Sequence, residues 1–277
     1  MKKIIIFIGI FIVVIFLLII LFCSSNDLVV TKYKLENNKV KNDIRIVQIS
    51  DFHAVEYGEN QSEILNKISE AKPDLIVLSG DMIDEEGSID NTTKLLDSVQ
   101  NIAPTFYVAG NHEYRSPNID SFFNYLDKSK IEHLKDNSKN IRIKDNEITL
   151  FGLDDYTGAE YWNREEDEEK RMEKLWHDSN NIKLLLSHHP EMKDLYSKYE
   201  YDLIFSGHAH GGQVRFEPLI NGVIAPNQGL FPKYTKGIYK MNDKSNLIVS
   251  VGLAKNKVPR INNKPEVVIV DLVKKGR

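Results

Sequence analysis

Residues 44–53 read IRIVQISDFH, and this stretch decides the fold. Its first six residues are rich in isoleucine and valine and alternate in polarity, which is typical of a β-strand. Asp51 and His53, two side chains that can bind metals, follow the strand directly. Residues 62–71 then place apolar side chains on one helical face, and residues 75–78 read LIVL, a buried strand. This alternation of strands and helices predicts an α/β domain.

Four later strands end in the same manner as the first one. The segments are LIVLSGD at 75–81, TFYVAGNHE at 105–113, IKLLLSHHP at 182–190 and LIFSGHAHGGQ at 203–213. In open α/β sheets, ligands bind outside the carboxyl ends of the strands. Five strand ends that carry Asp, Asn or His therefore predict one common site. The glycines at 80, 110 and 207 are expected to permit the tight turns that aim these side chains.

The candidate metal ligands are three oxygen or amide donors and four imidazoles, namely Asp51, Asp81, Asn111, His53, His188, His208 and His210. Imidazole suits Zn, Fe, Mn and Ni, whereas a set of oxygen ligands alone would suit Mg or Ca. Seven ligands are too many for one tetrahedral ion. Two ions that share a carboxylate are therefore expected, an arrangement suited to displacement at phosphorus. Each motif alone also fits a solvated loop. His133 and His177 do not lie in a motif of this kind, so we assign them no role.

The motif series resembles that of the calcineurin-like metallophosphoesterase superfamily. Asp-x-His, Gly-Asp, Gly-Asn-His-Glu, His and Gly-His-x-His occur here in the family's order. The segments at 225–229, 233–237 and 260–266 resemble the bacterial branch of predicted phosphohydrolases that is often membrane-tethered or exported. The resemblance covers residue 44 to the C terminus. It implies a four-layer αββα sandwich of two mixed β-sheets flanked by helices.

The resemblance also implies a role for each motif residue. Asp51, His53 and His210 would bind the first metal ion. Asn111, His188 and His208 would bind the second, and Asp81 would bridge the two, which would be divalent or trivalent ions of Mn, Fe or Zn. The family spacing His-x-Pro selects His188 rather than His189. His112 would lie beside the phosphate as general acid, with Asp51 or Glu113 orienting its ring.

An apolar run occupies residues 4–22 and follows Lys2 and Lys3. As a helix, such a run spans about 30 Å of hydrocarbon. Bulky residues before Cys23 make a poor cleavage site, so we predict an uncleaved signal anchor. The predicted order is a cytoplasmic N terminus at 1–3, a transmembrane helix at 4–23, a tether at 24–42 with a short edge strand at 28–33, and a catalytic domain at 43–277. Lysines on both sides of the run leave the orientation open, and we expect a single-pass membrane protein with the domain outside the cytoplasm.

The composition excludes several classes of protein. The 277 residues are 42% hydrophobic and 27% charged, which is typical of a globular chain rather than a disordered one. The net charge of −4 gives no basic field, so a dedicated nucleic-acid partner is not expected. Cys23 is the only cysteine, so no intrachain disulfide can form.

We therefore predict a phosphoesterase in which a metal-bridged hydroxide attacks phosphorus and His112 protonates the leaving group. A phosphodiesterase is preferred over a phosphomonoesterase or a pyrophosphatase acting on a nucleotide-linked or lipid-linked substrate. The membrane anchor adds lipid- or envelope-linked phosphate esters as candidate substrates. A non-catalytic metal-bound scaffold would typically lack ligands or the proton donor, all of which this chain carries. A protein Ser/Thr phosphatase would carry further acidic and arginine motifs, which we do not find.

Overall fold

The structure, a computed structural model, describes residues 7, 11, 24–163, 167–242, 245–255 and 260–276. The strands in these parts of the chain are β1 Val29–Asn37, β2 Ile44–Ile49, β3 Leu75–Ser79, β4 Thr105–Val108, β5 Glu132–His133, β6 Asn137–Ile143, β7 Asn146–Leu153, β8 Ile182–Ser187, β9 Leu203–Ser206, β10 Ile224–Ala225, β11 Gly229–Leu230, β12 Gly237–Lys240, β13 Asn246–Val249 and β14 Glu266–Lys274. The α-helices are α1 Ser62–Ala71, α2 Asp90–Val99, α3 Asn111–Arg115, α4 Ile119–Leu126, α5 Glu168–Leu175 and α6 Lys193–Tyr196.

Twelve of the strands form two six-stranded sheets. The first sheet has the order β1-β14-β2-β3-β4-β5, and the second has the order β12-β13-β9-β8-β7-β6. Strands β2 to β5 are parallel to one another, as are β7, β8, β9 and β13. Strand β14 runs antiparallel to β2, and β6 and β12 run antiparallel at the two edges of the second sheet. Both sheets are therefore mixed, as predicted.

Three apolar layers hold the sheets and helices together. Ile46 and Val77 of the first sheet meet Leu184 and Phe205 of the second in a buried layer between the sheets. The outer face of the first sheet packs on α1, α2 and α4, and that of the second packs on α5 and α6. Neighbouring residues of a strand point to opposite faces, so Val47 lies in the helix-facing layer while Ile46 lies between the sheets. These layers form the predicted αββα sandwich.

The segment predicted as a tether contributes a strand to the first sheet. The short edge strand expected at 28–33 is observed as β1, which continues to Asn37 and pairs in parallel with β14 along its whole length. Every residue of β1 is at least partly exposed, so backbone pairing holds the strand more than apolar burial does. The first sheet therefore begins before residue 43, where the sequence placed the domain boundary.

The predicted transmembrane segment at 4–23 lies outside the described residues except for Phe7 and Phe11, whose side chains are exposed. Within the described ranges, no helix combines the length and the apolar character that a membrane span needs. The anchor therefore stays a prediction.

The carboxyl ends of the parallel strands of both sheets lie at one edge of the sandwich. Gln48, near the end of β2, donates from its side-chain amide to the carbonyl of Ser206, the last residue of β9, at 2.9 Å. Because the two sheets meet there, the loops after β2, β3, β4, β8 and β9 share that edge.

Candidate metal centre and active site

Among the described residues, four groups of metal-capable side chains lie at this edge, and two of them share Asp81. Asp51, His53, Asp81 and His210 form one group, and Asp81, His188 and His208 form the other. Within each group the candidate ligand atoms lie within 4.8 Å of one another. Asp81 belongs to both groups and is fully buried. The arrangement can hold two cations that share one carboxylate.

Within the described part of the chain, several polar atoms at this edge are buried without a hydrogen-bond partner. They are His53 Nε2, Asp81 Oδ2, Asn111 Oδ1, His208 Nε2 and His210 Nδ1. A buried polar atom without a partner costs about 1–3 kcal/mol, so five of them in one place indicate a ligand that accepts lone pairs. Imidazole nitrogens and an amide oxygen are suitable donors to transition metals. Asn111, the first residue of α3, is therefore a seventh candidate ligand beside the six residues of the two groups.

The tautomer of His188 is determined by its hydrogen bond to the backbone. His188 Nδ1 lies 2.8 Å from the carbonyl oxygen of Ser79, and because a carbonyl only accepts, Nδ1 carries the proton. In the neutral ring, which is the form that binds a metal, the lone pair is then on Nε2, which lies 3.0 Å from Asp81 Oδ2 and 3.2 Å from His208 Nδ1. Metal-binding histidines commonly donate their second ring nitrogen to a carbonyl in this way.

Backbone and hydroxyl donors hold the two central carboxylates. The N–H of His208 donates to Asp51 Oδ1 at 2.9 Å, and the hydroxyl of Ser50 donates to Asp51 Oδ2 at 2.5 Å. The N–H of His112 donates to Asp81 Oδ1 at 2.9 Å. These bonds fix the carboxylates before any cation binds, which lowers the cost of forming the site.

Much of the site has a strained backbone. Five of the candidate ligands have φ between 45° and 65°, namely Asp51, His53, Asp81, His208 and His210. Non-glycine residues rarely adopt this left-handed region, and sparsely populated conformations cost about 1–3 kcal/mol each. Such strain clusters at functional sites, where the surrounding structure enforces it.

The glycines next to the site are required mainly for space. Of the three predicted turn glycines, only Gly80 has a positive φ, of 90°. A Cβ on Gly110 would lie 2.3 Å from Asp81 Oδ1, and a Cβ on Gly207 would lie 2.2 Å from Asp51 Oδ2. Gly110 and Gly207 therefore need glycine for the close approach of a carboxylate rather than for a positive φ.

Burial keeps two of the histidines neutral. Burial, reinforced by His188, holds the pKa of His208 well below its ordinary value. Burial likewise lowers the pKa of His210 to about 3, although Asp51 opposes the shift. Neutral imidazole is the form that binds metals, so both rings are ready to act as ligands at neutral pH.

Asp84 is a site residue that sequence reasoning missed. Its Oδ1 lies 3.1 Å from His112 Nδ1 and 3.6 Å from His53 Nδ1. The nearby imidazole of His53 holds the pKa of Asp84 well below its ordinary value. The only signal in the sequence was its position three residues after Asp81, in an acidic run that also fits a solvated loop.

The two residues predicted to orient His112 have other partners. Glu113 accepts hydrogen bonds from the backbone N–H groups of Gly110 and Asp81, and Asp51 accepts from Ser50 and His208. The carboxylate that contacts the His112 ring is therefore that of Asp84, rather than that of Glu113 or Asp51 as expected.

His189 does not share the environment of its neighbour His188. Its Nδ1 lies 2.7 Å from Glu191 Oε1, and its Nε2 contacts Asp155. Burial alone would lower the pKa of His189, but these two carboxylates outweigh it and raise the pKa to about 9. With a carboxylate at each ring nitrogen, His189 is less suited than His188 to donate a lone pair.

The two histidines without an assigned role lie away from both groups. His133 contacts Asp154, with Nε2 3.0 Å from Oδ1. His177 is exposed and contacts the hydroxyl of Ser138.

A cleft of about 480 Å³ opens beside the first group and gives access to it. His53, His112 and His210 line it, together with a run of three carboxylates at 84–86 and with Lys255. A partly exposed imidazole, buried metal-capable groups and an open cleft meet here, which is the arrangement that metal-assisted hydrolysis requires.

Comparison with known proteins agrees with this chemistry. The family model described as calcineurin-like phosphoesterase matches residues 44–212, which contain all five motifs. The chain is 30% identical to an uncharacterized metallophosphoesterase of Aquifex aeolicus, over 89% of this chain and 92% of that protein. It is 29% identical to an uncharacterized metallophosphoesterase of Campylobacter jejuni, over 79% of this chain and 56% of that protein.

A third relative is a "transmembrane protein with metallophosphoesterase domain" of Bos taurus. The identity is 28%, over 82% of this chain and 52% of that protein. The chain thus spans little more than half the length of the Campylobacter and Bos relatives. The family match, by contrast, covers more than half of this chain, and the Aquifex relative is matched almost from end to end. The chain belongs to the calcineurin-like phosphoesterase family.

Proposed function

We propose that this chain is a phosphodiesterase with a dinuclear centre of Mn, Fe or Zn. Asp51, His53 and His210 hold one ion in this proposal, Asn111, His188 and His208 hold the other, and Asp81 binds both. The observation that carries the proposal is the pair of ligand groups that share Asp81, at a place where five buried lone-pair donors have no hydrogen-bond partner among the described residues. Two bound cations supply a nucleophile at neutral pH and offset the negative charge of the phosphate.

His112 is the proposed general acid. Its ring lines the cleft, and Asp84 occupies its Nδ1, which leaves Nε2 to protonate the departing oxygen. The ring lies 4.4 Å from that of His53, between centroids, so a phosphate near the first group is within reach.

The charge of the cleft favours a diester. Among the described residues that line the cleft, three carboxylates, at 84–86, accompany one lysine, Lys255. A phosphate monoester carries close to two negative charges at neutral pH and a diester carries one. The acidic wall therefore repels a monoester, or a pyrophosphate, more strongly than a diester.

Metal content and substrate choice test the proposal together. The purified full-length protein, assayed with added Mn, Fe or Zn, should hydrolyse a diester faster than a monoester or pyrophosphate. Asp81→Asn should abolish the paired occupancy and the activity, while Asp127→Asn, at an exposed aspartate far from the site, should change neither. A wild-type protein with a single bound ion, or a preference for monoesters, would contradict the proposal.

We further propose that residues 4–23 anchor the chain in the cell membrane with the domain outside the cytoplasm. The support is the apolar run itself and the word transmembrane in the name of the Bos relative. Protease added to intact spheroplasts should release an active fragment. Protection of the domain until lysis would reverse the orientation.

A further inference from the structure

The segment between β9 and β12 leaves and re-enters the fold at the edge that carries the metal centre. It begins with the loop of His208 and His210, and β12 starts beside the carboxyl end of β13, opposite Val249. Strands β10 and β11 form an antiparallel hairpin within it. Asn227, in the turn of that hairpin, donates to the hydroxyl of Tyr156 at 3.0 Å and lies 3.4 Å from His189 Nδ1. The hairpin therefore stands directly next to the site.

This segment exposes large apolar side chains. Leu219, Ile224, Leu230 and Phe231, which we call the apolar hairpin surface, are 89%, 48%, 67% and 70% exposed. Ile224 and Leu230 pair directly across the hairpin, so their side chains lie on the same face. Phe231 extends the pairing by donating its N–H to Val223 at 2.9 Å. Apolar side chains grouped in this way mark an interaction site more often than a random surface.

The chain from the apolar run at 4–22 enters the fold at the same edge. Ser24 forms a β-bridge with Ile261, which also bridges Val214 at the base of the hairpin segment. Strand β1 starts at Val29 beside Glu266, and since β14 is antiparallel to β2, this start lies at the carboxyl end of β2. A membrane that holds residues 4–22 would therefore face the metal-centre edge rather than the opposite one.

The charge of the segment suits an anionic surface. Residues 213–236 contain three basic residues and one acidic residue, in a chain of net charge −4. Arg215 pairs with that acidic residue, Glu217, which leaves the surplus on Lys233 and Lys236. Apolar side chains flanked by lysine are the composition of elements that lie in the interface of an anionic bilayer.

We propose that the apolar hairpin surface inserts into the headgroup region of an anionic lipid bilayer and holds the metal centre against it. The substrate is then a phosphate ester presented at the lipid surface rather than one free in solution. The substrate part of this inference rests on the proposed phosphodiesterase function, whereas the docking of the hairpin does not.

A depth measurement on the full chain tests the docking. Leu230→Cys in a Cys23→Ser background is labelled with bimane and reconstituted into vesicles of phosphatidylethanolamine and phosphatidylglycerol. Lipids with a nitroxide on the acyl chain should quench this label several-fold more than a label on Lys41→Cys. Lys41 precedes β2 and is exposed at the opposite edge, so it is the matched control. Equal quenching at the two positions would overturn the proposal.

Two further outcomes are decisive. The label at position 230 could show blue-shifted emission without being quenched by the lipid nitroxides. In that case protein, such as a second copy of the chain, covers the hairpin, and the proposal is overturned. In the labelled protein, Ile224→Asp combined with Phe231→Asp should reduce the quenching to that of the control. Quenching that persists in this variant would show that the leader alone brings the label to the bilayer.

Activity separates this inference from the proposed function. The Ile224→Asp, Phe231→Asp variant should hydrolyse soluble bis(p-nitrophenyl) phosphate at the wild-type rate and a phosphodiester lipid in vesicles several-fold more slowly. Equal rates on the vesicle substrate would overturn the substrate part. If the wild type hydrolyses neither ester, the phosphodiesterase proposal fails, while the quenching result still decides the docking.

Discussion

Replacing Gly207 by alanine should damage the metal centre through a steric clash that the structure defines. The added Cβ would lie 1.8 Å from Ser50 Oγ and 2.2 Å from Asp51 Oδ2. Since Cβ atoms do not approach other atoms closer than about 3.0 Å, Ser50 must move by about 1.2 Å. Ser50 follows β2, which is held between β14 and β3, so the end of the strand can yield little.

The magnitude follows from this crowding. Overpacking a close-packed site costs about 1–3 kcal/mol, which for a domain of this size lowers Tm by about 2–12 °C. A shift of about 1 Å in a ligand such as Asp51 should reduce activity about 10²-fold. Thermal unfolding and elemental analysis of the purified Gly207→Ala protein measure both effects.

Two companion variants make the result specific. Gly276→Ala meets no atom within 4 Å and changes only backbone strain, so it should keep its metal content and activity. Ser50→Ala added to Gly207→Ala removes the Oγ clash and should recover part of the lost stability, but not the metal, because the clash with Asp51 persists. A Gly207→Ala protein with wild-type Tm and metal content would refute the reasoning.

Three further perturbations test other parts of the site and the fold. His112→Ala should keep its metals and lose about 10²–10⁴-fold in kcat/KM on an alkyl diester, but far less on a p-nitrophenyl diester, whose leaving group needs no proton. Asp84→Asn should show the same pattern with smaller losses. Equal losses on the two substrates would contradict the role of His112 as general acid. Burial opposes ionisation of Asp154, but the effect of His133 is larger and lowers the pKa of Asp154 below its ordinary 3.8. The ionised carboxylate therefore stabilises the fold above about pH 4, and this stabilisation is lost as the pH falls below 4. Asp154→Asn should therefore lower Tm at neutral pH more than at pH 3, and a uniform change would contradict the assignment. Removing metal with a chelator should lower Tm reversibly, because the unpaired donor atoms lose the ligand that stabilises them; an unchanged Tm would contradict a bound metal.

The layers of the fold were predictable because burial acts on local patterns. Helix α1 and strand β4 have the bounds expected from the sequence, since their apolar periodicity is complete within each segment. Strand β1 was predicted to end four residues too early, at 33 rather than 37, because an edge strand is held by its partner and keeps a polar sequence. The hairpin of β10 and β11 was not predicted, because two-residue strands carry no periodicity.

The α/β class, the five strand ends and the seven candidate ligands could be predicted from local patterns, because each motif follows an apolar run directly. Only the folded chain shows which of these side chains converge, which nitrogen of His188 carries the lone pair in the neutral ring, and that Asp84 rather than Glu113 contacts the His112 ring. It also shows that glycine is needed at 207 for space and that the apolar hairpin surface lies beside the site. The physical reason is that periodicity reports local burial, whereas these features depend on left-handed loop conformations and on two sheets packed with their carboxyl ends together.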